Sequence, residues 1–565
     1  MERYRLLDAL GGSAKFLTIA SLLLACCFAH GQMQAPEKVP QQLAVPTTTT
    51  VEPLGADARF DYAMGLVRAG RTDEARGSLL VGWTLFPADK RFPTELAGLA
   101  FKETKYLAAA RWLSRASDID PEDTYVRDFL GTVYFLLNNQ EAALKHWNRV
   151  GKPYIETATK PDVRLDPVLL DRAIAYSQAE VLTLDELLAT RARLRNLAIF
   201  PIQTFDLAAR TDGKFDLALH VKERHGWGAN KWEGLLTTFG GIVGQTVTPQ
   251  YYNIHGTATN LVGSYRWDSE KRRAGLILSG PLRRSPKWRY VLAGGWRNEN
   301  WDVRNFSSAP ITSVGSLNVS REAVGAGVQV VESGKWSWAT GVEVSRRDFR
   351  SITETFPSSV LLEGTQLKYL ADLDFEALRI PERRFVVSTS VSTQTARIWS
   401  AENNTFFKLQ AAVTSDWLPK AQGDDWQVLH RLSAGSIWGD VPFDELFILG
   451  LERDNDLPLR GHTATHRGRR GSAPMGTQYF LSNLELDKDV FKKGFVVVKL
   501  GPFVDTGKIT GPETFGSDKW LVDVGGQLKV NVLGARITFS AGKDLRTGRE
   551  AFYVKLGGWS TIRNK

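Results

Sequence analysis

The chain has 565 residues, a formal net charge of +9, and 24% charged residues. That length exceeds one ordinary core and calls for about two to four units. A mean hydropathy of −0.22, with no run after residue 30 near the roughly 20 apolar residues of a spanning helix, excludes a helical membrane bundle but not a β-barrel, whose strands alternate apolar and polar residues.

Residues 1–31 read as an export signal: Arg3, Arg5 and Lys15 precede a 14-residue apolar stretch, Phe16 to Ala29, too short to span. Ala29 and Gly31 permit cleavage, and the run Leu23-Leu24-Ala25-Cys26 offers lipidation at Cys26 as the alternative. The two cysteines of the chain, Cys26 and Cys27, both fall here. The mature chain is then free of thiols, which suits an oxidising periplasm and removes disulfides and cysteine chemistry. Residues 32–55, rich in Gln, Pro and Thr, read as a flexible linker.

Residues 56–158 carry a period of 34. Ala63, Ala97 and Gly131 keep that spacing, as do Ala75, Ala109 and Ala143, and Leu79, Leu113 and Trp147; Pro87 and Pro121 close the first two units. Small residues at helix crossings, a larger apolar residue four later and a helix-ending proline form the tetratricopeptide pattern. Such repeats usually bind proteins, so a periplasmic partner is expected here, with a plain helical spacer as the alternative.

Between residues 166 and 224 a helical stripe (Leu184, Leu187, Leu188, Leu194, Leu197) is followed by two alternating strands, Thr204–Arg210 and Phe215–Lys222, joined at Thr211-Asp212-Gly213-Lys214. The helix ending in residues 193–200 and the strand 215–224 resemble a POTRA domain, with the first strand and helix abbreviated. The resemblance implies a module that receives client chains by strand addition.

From about 232 to 559 the period becomes two. Trp336, Trp338, Thr340, Val342 and Val344 oppose Ser337, Gly341 and Glu343, and Leu367, Tyr369, Ala371, Leu373, Phe375 and Ala377 oppose Lys368, Asp372, Asp374 and Glu376. Strands of about ten residues, about sixteen in number, with Trp and Tyr near their ends, point to a transmembrane antiparallel barrel. The glycine-rich stretch Gly234–Gly244 is expected as its first strand, meeting a last strand at Gly557-Gly558. Glycine weakens strand pairing, so this seam is expected as a lateral gate.

Leu459-Arg460-Gly461-His462 follows Phe447-Ile448-Leu449-Gly450 and the acidic stretch Glu452 to Asp456. Asn483-Leu484-Glu485-Leu486 and Phe503-Val504-Asp505-Thr506-Gly507 come downstream. In this order the motifs resemble the lid loop and facing strands of the BamA/TamA outer-membrane assembly and translocation superfamily, with His462 where that family has Tyr or Phe. Asn253 to Thr257, Leu276 to Leu282 and the closing strand Phe552 to Trp559 resemble its early strands and carboxy-terminal signal. The resemblance covers about residues 166–559. It implies a lid held inside the barrel by Arg460, with Asp505 and Glu485 as lumen partners. It also implies a protein of the outer membrane, with its N-terminal domains in the periplasm, that helps insert or translocate client outer-membrane or secreted polypeptides. A dedicated pore of the two-partner secretion type and a passive or structural barrel are the alternatives.

No phosphate-binding Gly-Lys loop, Gly-x-Ser-x-Gly elbow or His-Glu-x-x-His is present, so the protein is not expected to be an enzyme and no cofactor is expected. His462 and His466 have helical ligand spacing but sit in a Gly- and Arg-rich loop without an acidic third ligand in sequence, and no metal is expected. Lys and Arg are scattered and no nucleic-acid module appears, so nucleic acid is not expected as a partner.

Overall fold

The computed structural model describes residues 55–306, 311–400, 403–420, 425–493, 496–511, 515–532 and 535–557. The expected signal, the linker up to residue 54, and Gly558 and Trp559 of the closing strand lie outside the described residues. The chain divides into two units after Leu137.

Among the described residues the first unit is five helices, α1 (Ala56–Arg68), α2 (Thr72–Leu85), α3 (Arg91–Lys102), α4 (Tyr106–Ile119) and α5 (Thr124–Leu136). Consecutive helices pack on each other. The small residues spaced by 34, Ala63 with Ala97 and Ala75 with Ala109, are fully buried, as are Leu79 and Leu113. A methyl group at each crossing lets backbones approach. The larger leucine fills the space beside it.

The second unit opens with α6 (Gln140–Trp147), followed by β1 (Ile155–Thr159), α7 (Pro167–Ala173), α8 (Leu184–Leu197), β2 (Ile202–Ala209) and β3 (Phe215–Lys222). The three strands form a sheet in the order β1-β3-β2, with β1 parallel to β3 and β2 antiparallel to it. Two boundaries differ from the sequence reading. The segment Ile155–Thr159, expected inside the helical repeats, is the first strand of this sheet. Trp147, expected as a repeat position, packs its ring 5.1 Å from Phe215 of β3. Thr183 and Glu186 close a capping box that starts α8. Trp147 is 2% exposed, so Trp147→Ala should cost about 3–5 kcal/mol. Limited proteolysis of the full chain should then cut within residues 138–224, and an unchanged pattern would count against this packing.

A third difference lies at the expected first barrel strand. Residues 231–239 are helix α9 (Lys231–Phe239), and a 3-10 turn follows at Ile242–Gly244. Asn230 caps the helix, accepting from the Glu233 amide at 2.8 Å. Glu233, buried, pairs with buried Arg224 at 2.5 Å. Trp232, Leu235, Leu236 and Phe239 remain exposed, at the i, i+3, i+4, i+7 positions of one helix face.

The large sheet follows. Its strands are β4 (Thr246–Val247), β5 (Gln250–Ile254), β6 (Thr259–Trp267), β7 (Lys271–Leu282), β8 (Ser285–Asn305), β9 (Thr312–Val331), β10 (Trp336–Arg350), β11 (Gly364–Ile380), β12 (Phe385–Trp399), β13 (Asn403–Trp417) and β14 (Trp426–Gly439). After the short pieces β15 (Phe447–Ile448), β16 (Thr465–His466), β17 (Arg469–Arg470) and β18 (Met475–Gly476) come β19 (Gln478–Lys493), β20 (Val496–Thr510), β21 (Ser517–Val532), β22 (Ala535–Asp544) and β23 (Glu550–Gly557). Neighbouring long strands pair antiparallel throughout.

Alternation sorts the two faces. Leu276, Leu292, Val324, Val342, Val344, Tyr369, Leu373, Phe375, Leu500 and Val504 are exposed on the outside. Positions one residue away, such as Phe503 and Asp505, are buried inside. The wall therefore presents an apolar exterior and a charged, hydrogen-bonded interior, the reverse of a soluble fold.

The small α/β domain sits against the short turns at one end. Asn196 of α8 donates to the Pro286 carbonyl at 2.8 Å, Arg289 donates to the Asn196 carbonyl at 2.9 Å, and Lys335 meets Asp185 at 3.0 Å. Glu382, in the turn between β11 and β12, lies 2.7 Å from Lys145 of α6. Burial pushes this carboxyl up, but hydrogen bonds from His146 and Lys145 outweigh it and hold it down at about 2.

Candidate functional site: the loop inside the barrel

Between β14 and β19 the chain does not turn directly back. Although Trp426–Ser436 pairs with Gln478–Lys488 as adjacent strands, residues 440–477 intervene, and they fold into the interior. The reason is in their composition. Phe443, Leu446, Phe447, Leu449, Leu457, Leu459 and Met475 are apolar and need cover. They pack with Trp301, Val319, Phe349, Ile398, Ile437 and Leu481 from the surrounding wall, and with Phe356 and Phe515 from its connecting loops, in one buried cluster. Loop and inward-facing wall residues together make this apolar core.

Arg460 stands at the tip of this loop, 4% exposed. Its Nη2 lies 2.6 Å from Asp505 Oδ1, its Nε donates to Asp505 Oδ2 at 2.8 Å, and its backbone amide donates to the same Oδ2 at 3.0 Å. That is a bidentate fork with a third bond from the main chain. Nη1 reaches Glu485 at 2.7 Å and Gln527 at 2.9 Å. The guanidinium lies 3.7 Å from the centroid of the Phe503 ring, a cation–π contact in a buried site. Asn483 completes the shell, donating to Asp505 Oδ1 at 2.7 Å and to the Pro458 carbonyl of the loop at 2.8 Å. Lys529 in turn meets Glu485 at 2.5 Å and Asp487 at 2.6 Å. Three strands, β19, β20 and β21, thus converge on one side chain.

Gly461 explains itself by distance. A Cβ there would stand 2.7 Å from the carboxyl carbon of Asp523 and 2.7 Å from the Asp544 amide nitrogen, too close for any side chain. Its amide donates to Asp523 Oδ2 at 2.5 Å. His462 follows, buried, with its ring 6.1 Å from that of Phe306 and its Nδ1 3.1 Å from Asp523 Oδ2. His466 is exposed and takes no part in this cluster.

The sequence reading missed a second anchor at the root of the loop. Asp444 and Glu445, in the 3-10 turn Phe443–Glu445, face a row of cations on successive strands. Asp444 pairs with Arg297, with Arg321 at 3.2 Å and with Arg347 at 3.0 Å. Glu445 meets Arg321 at 2.8 Å and Lys368 at 2.6 Å, and its carbonyl accepts from Lys408 at 2.8 Å. Arg297 and Arg321 are directly paired across β8 and β9, and Arg321 with Arg347 across β9 and β10. Like charges in register repel, so the wall alone is unstable there and the loop carboxylates relieve it. Glu452 provides a third tie, to Lys271 at 3.3 Å, and Arg470 a fourth, 3.2 Å from Glu299 and over the Trp301 ring.

No family model and no curated protein matches the chain. Among solved structures it is similar to BamA from Haemophilus ducreyi lacking POTRA domains 1–3, at 12% identity over 72% of this chain and 85% of that one, with a TM-score of 0.41. It is also similar to CdiB from Escherichia coli, at 12% identity over 72% and 75% with a TM-score of 0.45. CdiB from Acinetobacter baumannii matches at 11% identity over 71% and 73%, with a TM-score of 0.41.

Proposed function

We propose that the protein is an outer-membrane barrel, with its N-terminal domains in the periplasm, that helps insert or translocate client polypeptides. The observation that carries this reading is the loop 440–477, held inside a wall with an apolar exterior by Arg460 on one side and Asp444 and Glu445 on the other. A passive pore has no need of a plug tied by buried ion pairs to strands β8, β9, β10, β11, β19 and β20, whereas a conduit kept shut until a client arrives does. The order β-α-α-β-β of the small sheet domain supports a POTRA-like module, and β2, paired on one side only, leaves a strand edge to which an extended client can add. The buried alanines spaced by 34 support tetratricopeptide-type repeats that bind a periplasmic partner.

The seam between β23 and β4 is the proposed lateral gate. β4 is two residues long, and the segment before it is helix α9 rather than a strand, so few backbone hydrogen bonds hold the wall there. Outer-membrane proteomics after depletion of the protein tests the reading. Loss of many β-barrel proteins is expected for an assembly role, and loss of one or two secreted or barrel proteins for a dedicated translocator. An unchanged outer membrane would remove client handling altogether and leave a structural barrel.

A further inference from the structure

His462 lies between two carboxylates that have no Lys or Arg partner among the described residues. Its Nδ1 is 3.1 Å from Asp523 Oδ2, and its Nε2 is 3.6 Å from Asp544 Oδ2. Exposure is 7% for His462, 0% for Asp523 and 1% for Asp544. An ionised carboxylate only accepts hydrogen bonds, so the short contact to Asp523 requires the hydrogen on Nδ1. In a neutral imidazole the Nε2 lone pair then points at the Asp544 carboxylate. Two lone-pair groups do not face each other in a buried site unless something positive stands between them.

The spacing says what that is. At 3.6 Å the pair is too far apart for a hydrogen bond. Two ligands of one ion, each about 2.0–2.2 Å from it, stand about 3.4 Å apart at a tetrahedral angle. Asp523 on the opposite ring nitrogen fits the carboxylate that fixes the tautomer of a metal-bound histidine. Its Oδ1 is buried without a hydrogen-bond partner, and each of the three residues offers a ligand atom within 4.8 Å of the other two. The Asp544 carboxylate is held still by the Arg546 amide at 2.9 Å and the Thr547 hydroxyl at 2.5 Å. Two carboxylates and a neutral imidazole sum to a charge that one divalent cation cancels.

We propose that His462 and Asp544, supported by Asp523, form a site for a divalent transition-metal ion of the zinc type. The ion fastens the loop tip to β21 and to the end of β22, beside the Arg460 latch and independently of it. An imidazole nitrogen beside a carboxylate oxygen suits such an ion better than calcium or magnesium, which prefer oxygen alone.

The test uses the full-length protein in detergent, stripped with a chelator and titrated with zinc, and separately with cobalt. Uptake of about one equivalent per chain, a rise in melting temperature and cobalt d–d absorption are expected in the wild type. All three should be lost in His462→Phe, which keeps a ring against Phe306, and in Asp544→Asn. Cobalt absorption in the wild type reads the site without any variant having to fold. Equal zinc binding by wild type and His462→Phe would place the metal elsewhere and overturn the proposal. Absence of binding in the wild type would overturn it too.

Discussion

Replacing Asp444 and Glu445 together by Asn and Gln should free the root of the loop and open the barrel. Arg297, Arg321, Arg347 and Lys368 converge there, and Arg347 and Lys368 are each 1% exposed. With both loop carboxylates neutralised, Glu343, 2.5 Å from Arg321 and 3.6 Å from Lys368, is left to face four cations. Removing one partner of a buried pair costs about 3–5 kcal/mol, because the other charge is left without compensation. Here several are stranded at once, and the costs do not add, since the cations share the same carboxylates. The apolar packing of Phe443 and Phe447 remains but can no longer hold the segment against repulsion behind it. Planar-bilayer recordings should show a large rise in steady conductance, with trypsin gaining access to Arg470, which is buried in the intact protein. A double variant with wild-type conductance would mean that packing, not charge, holds the root.

Arg460→Ala should have the second largest effect. It strands Asp505, which has no exposed surface and keeps only Asn483 as a side-chain donor. Glu485 retains Lys529. The expected cost is again about 3–5 kcal/mol, seen as a lowered melting temperature and loss of heat-resistant gel mobility. Arg460→Lys should recover little, because an ammonium cannot form the bidentate fork or lie flat on Phe503. Asp505→Asn should be milder, as an amide can still accept from Arg460 and the guanidinium keeps Glu485 as its counter-ion. A double-mutant cycle of Arg460 with Asp505 giving no coupling would refute the latch.

The two anchors differ in how visible they are along the chain. Arg460, Glu485 and Asp505 lie in short motifs with alternation around them, so the facing of Asp505 follows from its neighbours Phe503 and Val504. Asp444 and Glu445 carry no such mark. Their partners come one from each of four strands, and only the register that pairs Arg297 with Arg321 and Arg321 with Arg347 reveals them as a row. Asp523 and Asp544 escaped notice for the same reason: neither is near His462 in sequence. Segment 231–244 misled through its glycines, which suggest a weak strand, while the helical spacing of Trp232, Leu235, Leu236 and Phe239 and the Asn230 cap decided the local structure. Ile155–Thr159 is short and mostly polar, and it becomes a strand because β3 offers it an edge.

The helix at 231–239 has a consequence for direction. From β5 to β23 every step around the wall is antiparallel. Among the described residues those steps are even in number, so β5 and β23, the two banks of the proposed seam, run the same way. With a strand where α9 stands, the banks would be opposed. As built, a newcomer that is antiparallel to both banks must bring an odd number of strands. One strand satisfies both at once; a hairpin leaves a like-directed joint behind it. In the gate proposed above, this parity favours a client that enters one strand at a time.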